Sequence, residues 1–259
     1  MRRRLQDNLK FVRQRIADAC TRSGRLPDEV HLVAVTKSVG LDVIRTLLDL
    51  GVTEIGENRV QELVRRAGMI HESLDRRQLL ATAPPPAPHW HMVGNLQRNK
   101  VKPLIPWTSM IHSVDRLRLA EDISKCAAAA DRRVDILLEV NGGNEPQKQG
   151  AAVCAAPHLA EQIASLPGVR LRGLMTMAPQ TADESALRQV FTRVGELFDE
   201  MRSHPALDAS FNIYSAGMSA DFETAIACGA NLVRIGTALF EGIDSADDPL
   251  ESPAAATQS

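Results

Sequence analysis

The sequence has little aromatic character: one tyrosine, two tryptophans and six phenylalanines in 259 residues. That scarcity removes most of the platforms on which single-stranded nucleic acid stacks. A formal net charge of -2 argues equally against the concentrated basic face of a nucleic-acid binder. Long apolar runs are also missing, so nothing matches the roughly 18 residues needed to span a membrane. The basic start, Met1–Arg4, gives way at once to Gln6, Asp7, Lys10 and Arg13 instead of the apolar segment of a signal peptide. Cys20, Cys126, Cys154 and Cys228 are scattered, with no close pair at metal or redox spacing. They read as free thiols in a reducing cytoplasm, which is the expected location, with neither nucleic acid nor membrane as a partner.

What is present is an alternation. Eight short runs rich in apolar and β-branched residues occur in order: His31–Lys37, Val52–Asn58, His89–Gly94, Ser109–Val114, Asp135–Asn141, Leu171–Met177, Phe211–Gly217 and Leu232–Phe240. Between them lie helical patterns such as Leu41–Leu50, Asp115–Ala130, Ala155–Leu166, Glu184–Arg202 and Ala220–Cys228. Strands buried on both faces read as nearly continuous apolar runs. Eight such units point to an α/β fold, a single closed (β/α)8 barrel of the TIM type, with an open doubly wound sheet as the rival. Such barrels reach about 250 residues as one unit, so residues 1–245 are expected to form one domain. Leu5, Leu9, Val12 and Ile16 recur at helical spacing and predict an extra amphipathic N-terminal helix on the outside or bottom of the barrel. Ala81–Pro88 (ATAPPPAP) reads as an inserted surface loop, and residues 246–259, ending in SPAAATQS, as a disordered tail.

In a barrel of this kind, chemistry sits at the carboxyl ends of the strands. The polar residues falling there are Lys37, Glu57, Asn58, His91, Asn95, His112, Asn141, Ser215, Ser219, Arg234 and Thr237, together with Met177 and Gly236. A lysine ending an apolar strand commonly serves as a solubilising charge. At a barrel mouth, partly desolvated and near other cations, its neutral amine becomes available for imine formation. Gly217–Met218–Ser219 falls where a strand turns into a helix, and Arg234–Thr237 lies on the last strand. Glycines there let backbone N–H groups approach a phosphate, at the place where barrel enzymes often hold one. Gly217 and Gly236 could equally serve tight packing. His91 and His112 are candidates either for acid/base work or for structural hydrogen bonds, and Glu57 either for a base or for orienting Asn58.

The chain resembles a known family over nearly all of Val30–Phe240. The segments that carry the likeness are AVTK at Ala34–Lys37, GENRVQE at Gly56–Glu62, HWHMVGNLQRNK at His89–Lys100 and HSVD at His112–Asp115. NGGNEPQKQG at Asn141–Gly150, RGLMTM at Arg172–Met177, SAGMSAD at Ser215–Asp221 and VRIGTALF at Val233–Phe240 continue it. These are similar to the pyridoxal phosphate homeostasis proteins, which share the barrel of the alanine racemase N-terminal domain. The resemblance implies pyridoxal 5′-phosphate (PLP) as cofactor, carried as a Schiff base on Lys37. It implies that Ser219, with the backbone around Gly236 and Thr237, holds the phosphate, that Arg234 points at the pyridine nitrogen, and that Asn58 lies beside the ring. With Ser215, these residues make up the expected cofactor-binding set, and no metal ligand is expected. Ala216, Tyr214 and Glu241 depart from the family pattern, as does the proline-rich insertion, but none removes a proposed PLP ligand.

Two features imply a holder of PLP rather than a fast enzyme. An arginine at the pyridine nitrogen weakens the electron sink that PLP enzymes exploit. A racemase also needs a second base, which in alanine racemases is a tyrosine from a further domain. About 19 residues follow Phe240, too few for such a domain, and the sole tyrosine, Tyr214, falls inside a predicted strand. The expected role is intracellular PLP homeostasis, as a monomer or weak dimer, with apo PLP-enzymes as recipients. The alternatives are a slow or specialised PLP-dependent racemase, and a Schiff-base barrel enzyme without PLP.

Overall fold

The computed structural model describes residues 1–78, 86–143, 145, 149–179, 181 and 183–243. The expected tail and most of the Ala81–Pro88 insertion lie outside the described residues. Eight parallel strands form the barrel: β1 (His31–Val35), β2 (Glu54–Glu57), β3 (His89–Met92), β4 (Thr108–Val114), β5 (Val134–Asn141), β7 (Val169–Met175), β8 (Ile213–Ser215) and β9 (Leu232–Ile235). Pairing of β1 with β9 and of β4 with β5 closes the ring, so the closed barrel, not the open sheet, is the fold. A two-residue strand, β6 (Ala151–Ala152), pairs beside the end of β5 at Val140 and Asn141.

Around the barrel run α1 (Arg2–Arg22), α2 (Leu41–Asp49), α3 (Val60–Gln78), α4 (Val101–Leu104), α5 (Leu117–Ala129), α6 (Ala156–Ala164), α7 (Glu184–Met201), α8 (Phe222–Ala227) and α9 (Thr237–Phe240). The apolar stripe of α1, including Leu5, Leu9, Val12 and Ile16, is buried. This helix packs on the outside against α8 and α9, where Asn8 donates to the carbonyls of Leu239 at 3.0 Å and Glu241 at 2.9 Å. Among the described residues no helix is long and apolar enough to cross a membrane.

The site is positioned by the two-residue period of a strand, which sends alternate side chains to opposite faces. The main core lies between the strands and the helices and takes Ala34, Ile111, Ile136, Leu138, Leu174 and Val233. Inside the ring sits a second, small apolar cluster of Val33, Met110, Leu137, Met175, Ile213 and Leu232. One period further along the chain from each of these lie Val35, His112, Glu139, Met177 (just past the end of β7), Ser215 and Arg234. Four of these six, His112, Glu139, Ser215 and Arg234, are polar, so polar side chains enter the interior toward the carboxyl end.

Candidate functional site

At that end a cavity of about 410 Å³ opens, within the roughly 300–1,000 Å³ typical of small-molecule sites. Lys37 follows Val33 and Val35 on the inward register of β1 and stands at the rim. It is exposed there, whereas partial desolvation was expected, because β1 ends at Val35 and the next residues turn over the open mouth. The backbone just before it is clamped. Arg66 on α3 donates to the Thr36 carbonyl and to Glu57 Oε1, both at 2.7 Å, and the Thr36 hydroxyl donates to the same carboxylate oxygen at 2.5 Å. Burial pushes the Glu57 carboxyl up, against the opposing charge of Arg66 and the Thr36 hydrogen bond. Glu57 faces away from the cavity, so it is a structural anchor for the Lys37 turn and neither a base in the site nor a side-chain partner of Asn58.

Two strands round the ring from Lys37, the β8–α8 turn depends on Gly217. Its φ of +90° lies in the left-handed region, and a Cβ there would stand 2.7 Å from Phe222 Cα. The turn brings Ser219 beside the end of β9, where its hydroxyl accepts from the Ala238 N–H at 3.2 Å. Ser219, Gly236 and Thr237 line the same part of the cavity. On another wall Gly94 admits Asn58: a Cβ at residue 94 would come within 2.2 Å of the Asn58 carbonyl oxygen. Val35, Val93, Met175, Met177 and Met218 supply apolar wall.

Arg234 projects into the cavity from β9 and is 5% exposed. It donates to Ser215 Oγ at 2.6 Å and to the Thr176 carbonyl at 3.1 Å, both neutral acceptors. Burial pushes its guanidinium down to about 10, so it remains charged at neutral pH. Glu139 lines the cavity from β5. Its carboxyl is raised to about 7, by burial first and then by Asp115, against the pull of Arg234.

The cavity therefore brings together six of the seven expected cofactor residues: Lys37, Asn58, Ser219, Arg234, Gly236 and Thr237. Ser215 is not among its lining residues; fully buried, it reaches the site through Arg234. His91 and His112 are also buried outside the lining, bonded to each other between Nδ1 and Nε2 at 2.9 Å. Asn141 and Glu57 are not lining residues either, while Asn95 and Met177 are.

The family model of the alanine racemase N-terminal domain matches residues 3–243. A pyridoxal phosphate homeostasis protein from Aquifex aeolicus is 38% identical over 234 residues, covering 90% of this chain and 96% of its own. The chain belongs to the pyridoxal phosphate homeostasis proteins, within the alanine racemase N-terminal-domain family. Among solved structures, an uncharacterised protein from Bifidobacterium adolescentis superposes with a TM-score of 0.85 at 36% identity, over 92% of this chain and 95% of the other. PipY of Synechococcus elongatus, solved with PLP bound, gives 0.72 at 30% identity, over 87% and 99%.

In this homeostasis-family cavity the main residue that sequence reasoning missed is Glu139, with Ser113 and Gln149 beside it. The signal was available: in DILLEVN the only charge inside the apolar run lies one period beyond the inward-facing Leu137. Tyr214, the sole tyrosine, is turned to the outer face, where its hydroxyl donates to the Phe191 carbonyl at 2.7 Å. Burial raises its pKa well above the usual value. It is no candidate for a base in the cavity.

Proposed function

We propose that this chain holds PLP in the carboxyl-end cavity as a Schiff base on Lys37, and serves to maintain intracellular PLP rather than to turn over substrate. The observation that carries the reading is the convergence on one cavity of a primary amine (Lys37), a hydroxyl and glycine-backbone cradle suited to a phosphate (Ser219, Gly236, Thr237), and a buried cation on neutral acceptors (Arg234). These groups match an aldehyde with an anionic substituent and a ring nitrogen. The donor set fits PLP, which PipY of the same family binds. When bound, PLP supplies an electrophilic aldehyde and an electron-withdrawing ring.

The chain's own residues set how far that ring is used. Arg234 is the group assigned to the ring nitrogen, and a fixed cation there disfavours a proton on that nitrogen, which weakens the ring as an electron sink. Asn58 would flank the ring, and Ser219 with the Gly236–Thr237 backbone would hold the phosphate. On this account the protein is a cytoplasmic monomer or weak dimer formed by one domain over residues 1–245, and it gives up PLP to apo-enzymes.

A second reading, slow PLP-dependent proton transfer such as racemisation, is favoured by one observation: Glu139 is a buried carboxyl in the cavity that titrates near neutrality. The two are separated by incubating the PLP-loaded chain with α-deuterated amino acids, and in parallel with an apo PLP-enzyme. Homeostasis predicts reactivation of the apo-enzyme with negligible deuterium loss. Exchange that needs Lys37 and runs at roughly 1–1,000 per second, the ordinary enzymatic range, would establish the enzyme instead.

A further inference from the structure

Beneath the cavity a run of polar side chains crosses the barrel interior from β2 to β9. Glu54, the first residue of β2, is one-third exposed and lines a second cavity at the amino-terminal end of the barrel, with His31 and Thr53. Its Oε2 lies 2.6 Å from His91 Nε2, and His91 Nδ1 lies 2.9 Å from His112 Nε2. His112 Nδ1 lies 3.2 Å from Ser215 Oγ across the ring, and Arg234 Nη1 donates to that oxygen at 2.6 Å. The four links form one unbroken path.

Its chemistry fixes its direction. A guanidinium has only donors, so Ser215 Oγ accepts from Arg234 and its own proton is free for His112 Nδ1. Burial first, with the charge of Arg234 beside it, depresses His112 well below its usual value, so this ring is neutral. With Nδ1 accepting, its single proton sits on Nε2 and is donated to His91 Nδ1. His91 in turn carries its proton on Nε2 and donates it to Glu54. That carboxyl would be raised by burial, but the hydrogen bonds from His91 and His89 help to outweigh this and hold it at about 2, so it is an acceptor only. Every donor in the path meets one acceptor. The reverse direction would require a doubly protonated His91 and would leave the Ser215 hydroxyl proton with no acceptor in the path.

We propose that Glu54, His91, His112 and Ser215 are positioning residues for Arg234, a one-directional hydrogen-bond chain that fixes its guanidinium in the cofactor cavity from a carboxylate at the far end of the barrel. Only the statement that Arg234 faces a cofactor ring rests on the function proposed above; the chain itself does not.

The test uses the full chain without cofactor. Nitrogen-15 NMR of the imidazole rings at neutral pH is expected to show His91 and His112 both as neutral Nε2–H tautomers. Either ring protonated on Nδ1 would overturn the proposal, and this measurement needs no variant. In Glu54→Leu the terminal acceptor is lost. At least one ring is then expected to change tautomer, and the Arg234 guanidinium protons to exchange about tenfold faster, the scale of one lost hydrogen bond. Asp28→Asn, at the same amino-terminal cavity but outside the path, is expected to change neither. Unchanged tautomers and unchanged Arg234 exchange in Glu54→Leu would refute the coupling. With PLP added, the visible band of Glu54→Leu is expected to shift relative to wild type while PLP is retained, and an unshifted band would deny the link to the ring. A wild-type chain that takes up no PLP would count against the function proposed above, with the cofactor-free NMR still deciding the positioning chain.

Discussion

The Arg66 guanidinium donates to the Thr36 carbonyl at 2.7 Å, one peptide bond before Lys37, while the same nitrogen holds the buried Glu57. The rim lysine is thus placed by an ion pair on the outer face of the barrel. Breaking such a pair from one side leaves a buried charge uncompensated, at a cost of about 3–5 kcal/mol. Arg66→Leu is therefore expected to lower stability by that amount in urea unfolding, and Glu57→Leu combined with Arg66→Leu to recover most of it. A double variant no more stable than Arg66→Leu would mean the pair is not the source of the loss.

The cradle makes a second prediction. Ser219→Ala removes a hydroxyl assigned to the phosphate and is expected to weaken PLP retention by roughly 1–2 kcal/mol, the scale of a hydrogen bond to a charged group. Pyridoxal, which lacks the phosphate, should bind wild type and variant alike in the same equilibrium titration. Equal losses for both ligands would remove Ser219 from the phosphate site.

Glu139 gives the chain a pH signature. Its carboxyl is raised from 4.5 to about 7, so the folded state binds more protons than the unfolded state between those values. Stability from this group is complete below about 4.5 and lost as pH rises through about 7, by roughly 3 kcal/mol. Glu54 has the opposite sign at lower pH: its contribution is present above about 4.5 and lost as pH falls toward about 2. Chemical denaturation from pH 5 to pH 8 is expected to show the decline in wild type and its absence in Glu139→Gln. The same slope in both would place the titration elsewhere.

Much of this architecture is legible in the sequence because a barrel strand buried on both faces must be apolar over its length. All eight runs overlap a strand, with ends shifted by a few residues; the run Leu232–Phe240 divides at Gly236 into β9 and α9. The helix α3 does not stand out in the sequence, since Arg65, Arg66, Glu72, Asp75, Arg76 and Arg77 mask a narrow stripe of Leu63, Ala67 and Ile70. The strand β6 is two residues long and carries no period to read. Lys37, Ser219 and Arg234 are recognisable from their places at strand ends. The partnership of His112 with Ser215 is not, because those residues are 103 positions apart and meet only across the closed ring.

The central claim is that Lys37 carries PLP. Its most direct test is the visible spectrum of the PLP-loaded chain, followed by borohydride reduction and peptide mass mapping. The account predicts a band at about 420 nm, a property of the cofactor's own imine, that disappears on reduction, with one pyridoxyl adduct on Lys37 and none in Lys37→Ala. An adduct found mainly on Lys100, Lys102 or Lys148, or a band that survives in Lys37→Ala, would contradict it.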